Sequence, residues 1–153
     1  MPKIVLKEIS PYSKLSNTNF DLVSTVLLFN SKNEVLLQLR DNKSEIVNPN
    51  RWAPLGGHCN LQETPYDCAL RELQEESGYI CKELKWYKNF FFPYRNNTKH
   101  VVCTFWANYD NIQNIRCYEG QKIVFLSINE LTKYNISKKN ISIINQIKKI
   151  NLN

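Results

Sequence analysis

Gly57 to Tyr79 reads GHCNLQETPYDCALRELQEESGY, and its carboxylates are spaced for a metal ion. Each helical residue advances by about 100°, so Glu72, Glu75 and Glu76 fall within roughly a 100° sector of one face. Tyr66, Ala69, Leu70 and Leu73 occupy the neighbouring sector and can bury against a sheet. Three like charges held together repel one another, and removing them from water costs still more. A hard divalent cation relieves both penalties, and carboxylate oxygens are the ligands that Mg²⁺ or Mn²⁺ prefers. The competing reading is a solvated acidic face, which leaves the flanking glycines and Arg71 without a purpose.

Capping signals bound the helix. Thr64 is a good N-cap, Pro65 sits where a first turn tolerates it, and Asp67 favours the positive end of the dipole. Gly78 after Ser77 can take the left-handed conformation that stops a helix. Upstream, Trp52-Ala53-Pro54-Leu55-Gly56-Gly57 reads as a short strand running into a tight turn, where paired glycines let backbone approach closely.

The run resembles the signature of the Nudix hydrolases, G-x5-E-x7-R-E-U-x-E-E-x-G-U with U a bulky aliphatic. Gly57, Glu63, Arg71, Glu72, Leu73, Glu75, Glu76 and Gly78 stand at its fixed positions. Tyr79 departs from it, at a packing position. The resemblance implies an α/β fold, a Nudix-type α/β/α sandwich with a central mixed β-sheet. It also implies Mg²⁺-dependent hydrolysis of a pyrophosphate linkage, with Mn²⁺ as a substitute. By position, Glu72 and Glu76 match the main metal ligands, Glu75 completes the set, and the Gly57 carbonyl is an extra ligand. Arg71 is cast as an organiser paired with Glu63, which leaves Glu63 structural. Glu75, Glu76 and Glu119 are the catalytic candidates. The segment Glu119-Gly120-Gln121 resembles the loop that supplies an extra catalytic and metal-binding glutamate in MutT-type members.

Physical chemistry supports such a site. A diphosphate linkage is anionic and repels hydroxide, whereas a cation neutralises phosphoryl oxygens and acidifies bound water. Substrate contacts are sought outside the helix. Trp52 and Tyr94 are candidates to stack on a base, and Arg40 and Arg95 to meet phosphate or sugar. His58 reads as a polar loop residue and His100 as structural.

At 153 residues the chain is expected to form one domain, 1–153, with its core at about 20–150. The composition, 42% hydrophobic and 22% charged, is that of an ordinary globular chain rather than a disordered or membrane-spanning one. No run of about 18 apolar residues occurs and the N-terminus lacks an apolar signal core, so the expected setting is cytoplasmic, without membrane contact. Cys59, Cys68, Cys81, Cys103 and Cys117 lack C-x-x-C spacing, and reduced, mostly buried thiols are expected. Cys59 reads as a small filler in the glycine loop, or else as an exposed thiol. The net charge of +6 favours anionic ligands, although much of it lies in Lys133, Lys138, Lys139, Lys148 and Lys149. Ile141, Ile144 and Ile147 recur at helical spacing there, so an amphipathic closing helix with a solvated lysine face is expected.

Strands are expected at 22–29, 34–40, 84–92, 101–109 and 122–126, with a helical turn at 129–131 and an edge strand within 2–9. A nucleoside diphosphate linked to another moiety (a nucleotide sugar, an ADP-ribose-like molecule or a nucleoside triphosphate) is the expected substrate. Rival readings are a nucleotide-sensing Nudix domain without catalysis and an RNA 5′-end pyrophosphohydrolase. Otherwise nucleic acid is not an expected partner, and a homodimer is left open.

Overall fold

The apolar run at the start of the chain becomes the hub of a sheet. A computed structural model describes residues 9–14, 20–46, 48–93 and 99–152. Strand β1 (Phe20–Phe29) lies parallel to β6 (Lys99–Asn108), which pairs antiparallel with β5 (Lys85–Pro93). On its other side β1 meets β2 (Glu34–Leu39) only at Phe29 and Val35. The hairpin expected there exists, but its strands diverge at once. Chain 52–58 fills the gap. Strand β3 (Trp52–Ala53) pairs with the far end of β2, whereas β4 (Leu55–His58) pairs with β1. The single short strand expected at 52–57 is thus two, divided at Pro54, which has no N–H to give to a ladder. Strand β7 (Lys122–Ser127) closes the other edge of β2. The sheet is mixed and open.

Alternation along the strands sends side chains to two cores. Val26, Leu28, Leu36, Leu55 and Phe105 face α1 (Pro65–Ser77) and pack with its Ala69 and Leu73. Leu27, Phe29, Val35, Leu37 and Trp106 face the closing helix α2 (Lys138–Asn151) and pack with Ile143, Ile144 and Ile147. With both faces covered, β1 and β2 must be apolar on both sides, which is why they read as continuous runs instead of alternating ones. The architecture is the expected α/β/α sandwich. A 3₁₀ helix over Ile128–Lys133 replaces the shorter turn expected at 129–131 and carries buried Ile128 and Leu131.

Both ends of α1 hold as the sequence indicates. The Asp67 N–H donates to Thr64 Oγ1 at 3.0 Å, and Gly78 takes φ 76° while its N–H caps the Gln74 carbonyl at 2.8 Å. A further anchor was not foreseen: Ser24 Oγ donates to the Pro65 carbonyl at 2.7 Å, tying the first turn to β1. Tyr79, the departure from the signature, is buried in the α1 core against Tyr109, and its hydroxyl accepts from the Asp110 N–H. Its extra oxygen is therefore satisfied. Of the edge strand expected within 2–9, only Ile9 lies among the described residues, where it is buried and not in a strand.

Candidate active site

Glu76 is the least expected member of the acidic face. A solvated carboxylate would be exposed, yet Glu76 is 1% exposed at the end of α1. Its Oε1 accepts from the Gly56 N–H at 3.1 Å and its Oε2 from Gln38 Nε2 at 3.1 Å. Burial, with the Glu119 and Glu72 charges adding to it, pushes its acid up to about 8. The Gly56 donor opposes that shift without cancelling it.

Glu119 arrives from a loop far along the chain, and that loop is stitched in place at several points. Gln38 Nε2 also donates to the Glu119 carbonyl at 2.9 Å. The Tyr118 N–H donates to the Glu76 carbonyl at 2.9 Å and the Gln121 N–H to the Leu39 carbonyl at 2.8 Å. Gly120 sits at φ 80°, and a Cβ there would lie 2.8 Å from the Leu39 oxygen, so the E-G-Q triplet requires its glycine. As a result, Glu72, Glu76 and Glu119 each bring a carboxylate oxygen within 4.8 Å of the others.

Glu72 is held against backbone. A Cβ on Gly57 would fall 2.5 Å from the Glu72 carboxyl carbon and 2.7 Å from both its oxygens. Only glycine leaves room for that carboxylate. Arg71 organises the flank. Its Nε and Nη2 grip Glu63 at 2.7 and 2.9 Å, Nη2 also donates to the His58 carbonyl at 3.1 Å, and Nη1 reaches Glu72 at 2.8 Å. The fork fixes helix, loop and strand end together. The same Nη1 meets Glu75 at 3.1 Å, and Glu75 is 59% exposed. Glu75 therefore shares the helix face but is not one of the three clustered carboxylates.

The other sequence candidates scatter. Trp52 lies edge-on to Tyr134, 5.8 Å between centroids, against the α2 core. Arg40 lies just past β2, where its carbonyl accepts from Gln121 Nε2. Tyr94 and Arg95 lie outside the described residues. The His58 carbonyl, not its ring, is the part Arg71 uses. A cleft of about 560 Å³ opens elsewhere on the molecule, lined by Lys32, Glu34, Tyr109, Arg116 and Phe125 but by none of the three glutamates. Shape alone would mislead; the concentration of charge marks the chemistry. Gln38 was missed in the sequence. Its signal was there, a polar residue set inside the apolar run of EVLLQL, on the same strand face as Leu36, which points toward α1.

An all-oxygen donor set, a glycine cradle that a Cβ would fill, and a buried acid among like charges fit a hard divalent cation. Glu72, Glu76 and Glu119 are the residues that could hold it, whereas the Gly57 carbonyl, the extra ligand the resemblance implies, accepts from the Cys68 thiol at 3.6 Å.

Comparison with known proteins identifies the family and the fold. The NUDIX domain model matches residues 20–146, and the chain belongs to that family. A curated relative from Xenopus laevis, named m7GpppN-mRNA hydrolase NUDT17, is 42% identical over 64 residues, which is 42% of this chain and 22% of the relative. The chain thus spans about a fifth of that relative's length. Among solved structures, a MutT protein from Methanosarcina mazei superposes with a TM-score of 0.73 at 20% identity, covering 86% of this chain and 95% of that one. The NUDIX domain of Shewanella oneidensis NrtR, crystallised with ADP ribose, gives 0.73 at 16% identity and covers 87% and 89%.

Proposed function

We propose that the chain hydrolyses a pyrophosphate linkage in a nucleoside diphosphate joined to another moiety, with Mg²⁺ held by Glu72, Glu76 and Glu119. One observation carries the reading: a carboxylate from a distant loop is brought to two on α1, with Glu76 buried between charges. Folding that forces such repulsion together costs stability unless a cation offsets it. When bound, the ion supplies neutralisation of phosphoryl oxygens and a more acidic water.

The chain's own residues do the rest. Glu76, fixed by the Gly56 N–H and Gln38, cannot swing away from the cluster. Glu119 is exposed and meets no cation among the described residues, so its carboxylate is the one free to orient an attacking water and take its proton. Glu75, already engaged by Arg71, acts through Arg71 on the position of Glu72. Arg71 and Glu63 position the helix and touch no substrate.

A second reading concerns the substrate. The relative's printed name supports a capped RNA 5′ end, and the NrtR complex supports a nucleoside diphosphate ligand. A panel of ADP-ribose, dinucleoside polyphosphates, nucleoside triphosphates and capped RNA, each with and without Mg²⁺, separates them. Phosphate or nucleotide release that requires Mg²⁺ and drops on the order of 10²–10³-fold in Glu76→Gln is the expected outcome. Binding of nucleotide without any release would leave a sensor, and undiminished turnover by Glu76→Gln would remove this ligand set.

A further inference from the structure

Three cysteines lie around the paired residues Ser24 and Gly57 of β1 and β4. Cys59 follows β4 and is half-buried, with its Sγ 3.4 Å from Ser24 Oγ. Cys68, in the first turns of α1, is fully buried, and its thiol donates at 3.6 Å to the carbonyl of Gly57, the residue paired with Ser24 across β4 and β1. Cys103 stands opposite Ser24 across β1 and β6. These thiols do not make a metal site, since among the described residues three ligating atoms converge only at the glutamates. Neither Cys59 nor Cys68 has a part in the hydrolysis.

We propose that Cys59 and Cys68 form a dithiol modification site which a hydroperoxide closes to an intrachain disulfide. The pairing rests on geometry: one thiol is half-buried against Ser24 Oγ, and the other is buried against Gly57, the residue paired with Ser24, on the helix whose first turn Ser24 anchors. Cys59 sulfur attacks the O–O bond, giving a sulfenic acid and one water. Cys68 sulfur then displaces the hydroxyl as a second water and the S–S bond forms. Two thiols lose two electrons and the peroxide gains them, so that two R–SH and H₂O₂ give R–S–S–R and two H₂O.

The bond has somewhere to act. Cys68 Sγ donates to the Gly57 carbonyl at 3.6 Å, and Arg71 Nη2 lies 3.9 Å from that sulfur. Oxidation removes the thiol proton from Gly57 and ties the 57–59 turn to α1. A weaker hold on Mg²⁺ follows; that consequence rests on the metal reading above, whereas the linkage does not.

The test treats the reduced full chain with a few equivalents of hydrogen peroxide and maps its peptides without reductant. A Cys59–Cys68 cross-link that consumes two of the five thiols and is reversed by dithiothreitol is expected. Cys59→Ser should form no cross-link. A Cys59–Cys103 bond, irreversible oxidation of Cys59 with Cys68 still free, or earlier consumption of exposed Cys117 would overturn the assignment. Calorimetric Mg²⁺ titration reads the coupling: about 10-fold weaker binding after oxidation of the native chain, and no change in Cys59→Ser. Equal affinity before and after cross-linking would overturn the coupling. Absence of Mg²⁺ binding in the reduced chain would instead remove the metal reading and leave the linkage map standing.

Discussion

Glu76 concentrates the residue-scale physics. Its acid sits at about 8 in the ion-free protein, so at neutral pH it holds a proton that a cation must displace. Affinity for Mg²⁺ should therefore rise by about tenfold per pH unit below 8 and level off above it. Calorimetry in buffers of different ionisation enthalpy measures both the affinity and the released proton. A flat profile between pH 6 and 8 would contradict the buried-acid account. Gly120 makes a sharper demand, since φ 80° and a 2.8 Å approach to the Leu39 oxygen leave no place for a side chain. Gly120→Ala should cost about 1–3 kcal/mol in urea unfolding and should shift Glu119, weakening Mg²⁺ binding as well. Loss of stability with unaltered Mg²⁺ affinity would show that Glu119 is not a ligand.

At the scale of elements, α1 is held less by its own propensity than by its attachments. Thr64 and Gly78 set its ends, Ser24 anchors its start, and Arg71 ties it to Glu63 and the His58 carbonyl. The Arg71 hydrogen bonds hold the Glu63 carboxyl below its ordinary value of 4.5. A depressed carboxylate stabilises the fold above its unfolded pKa and loses that contribution as pH falls through the folded value. Glu63→Gln should thus be less stable than the native chain at pH 7 by about 1–3 kcal/mol, with the gap closing below pH 4.5. Thermal unfolding of both proteins across pH 3 to 7 checks this. A gap that persists undiminished in acid would assign the loss to packing. These ends were legible because capping and signature residues act within a few positions of one another. The split of chain 52–58 between β2 and β1 was not, because it depends on two strands diverging elsewhere in the sheet.

On the scale of the whole molecule, the sheet keeps two separate cores, and only one of them carries the acidic cluster. Ile144 and Ile147 of α2 are fully buried on the opposite face. Ile144→Ala should cost about 2–5 kcal/mol in denaturant unfolding. Because Ile144 packs in the core on the opposite face of the sheet from α1, Mg²⁺ affinity of the folded variant should stay within about twofold of native. A large loss of affinity at full folding would mean that the two faces are mechanically coupled. The lysines of α2 leave this core apolar, and no helix among the described residues is long and apolar enough to cross a membrane.

Local chemistry was set by the chain itself. The spacing of Glu72, Glu75 and Glu76 on a helix turn, the caps at Thr64 and Gly78, and the two-sided apolar runs of β1 and β2 all follow from short-range geometry that any reader of the residues can reconstruct. Tertiary structure alone decided which carboxylates meet. Glu119 lies 43 positions beyond Glu76, and nothing local draws them together. Gln38 does so from a third element, by donating to both. Folding also left Glu75 exposed outside the cluster, beside Arg71, and buried Glu76 deeply enough to change its acidity. Burial and long-range contact depend on where every other segment packs, and those are properties of the assembled sheet.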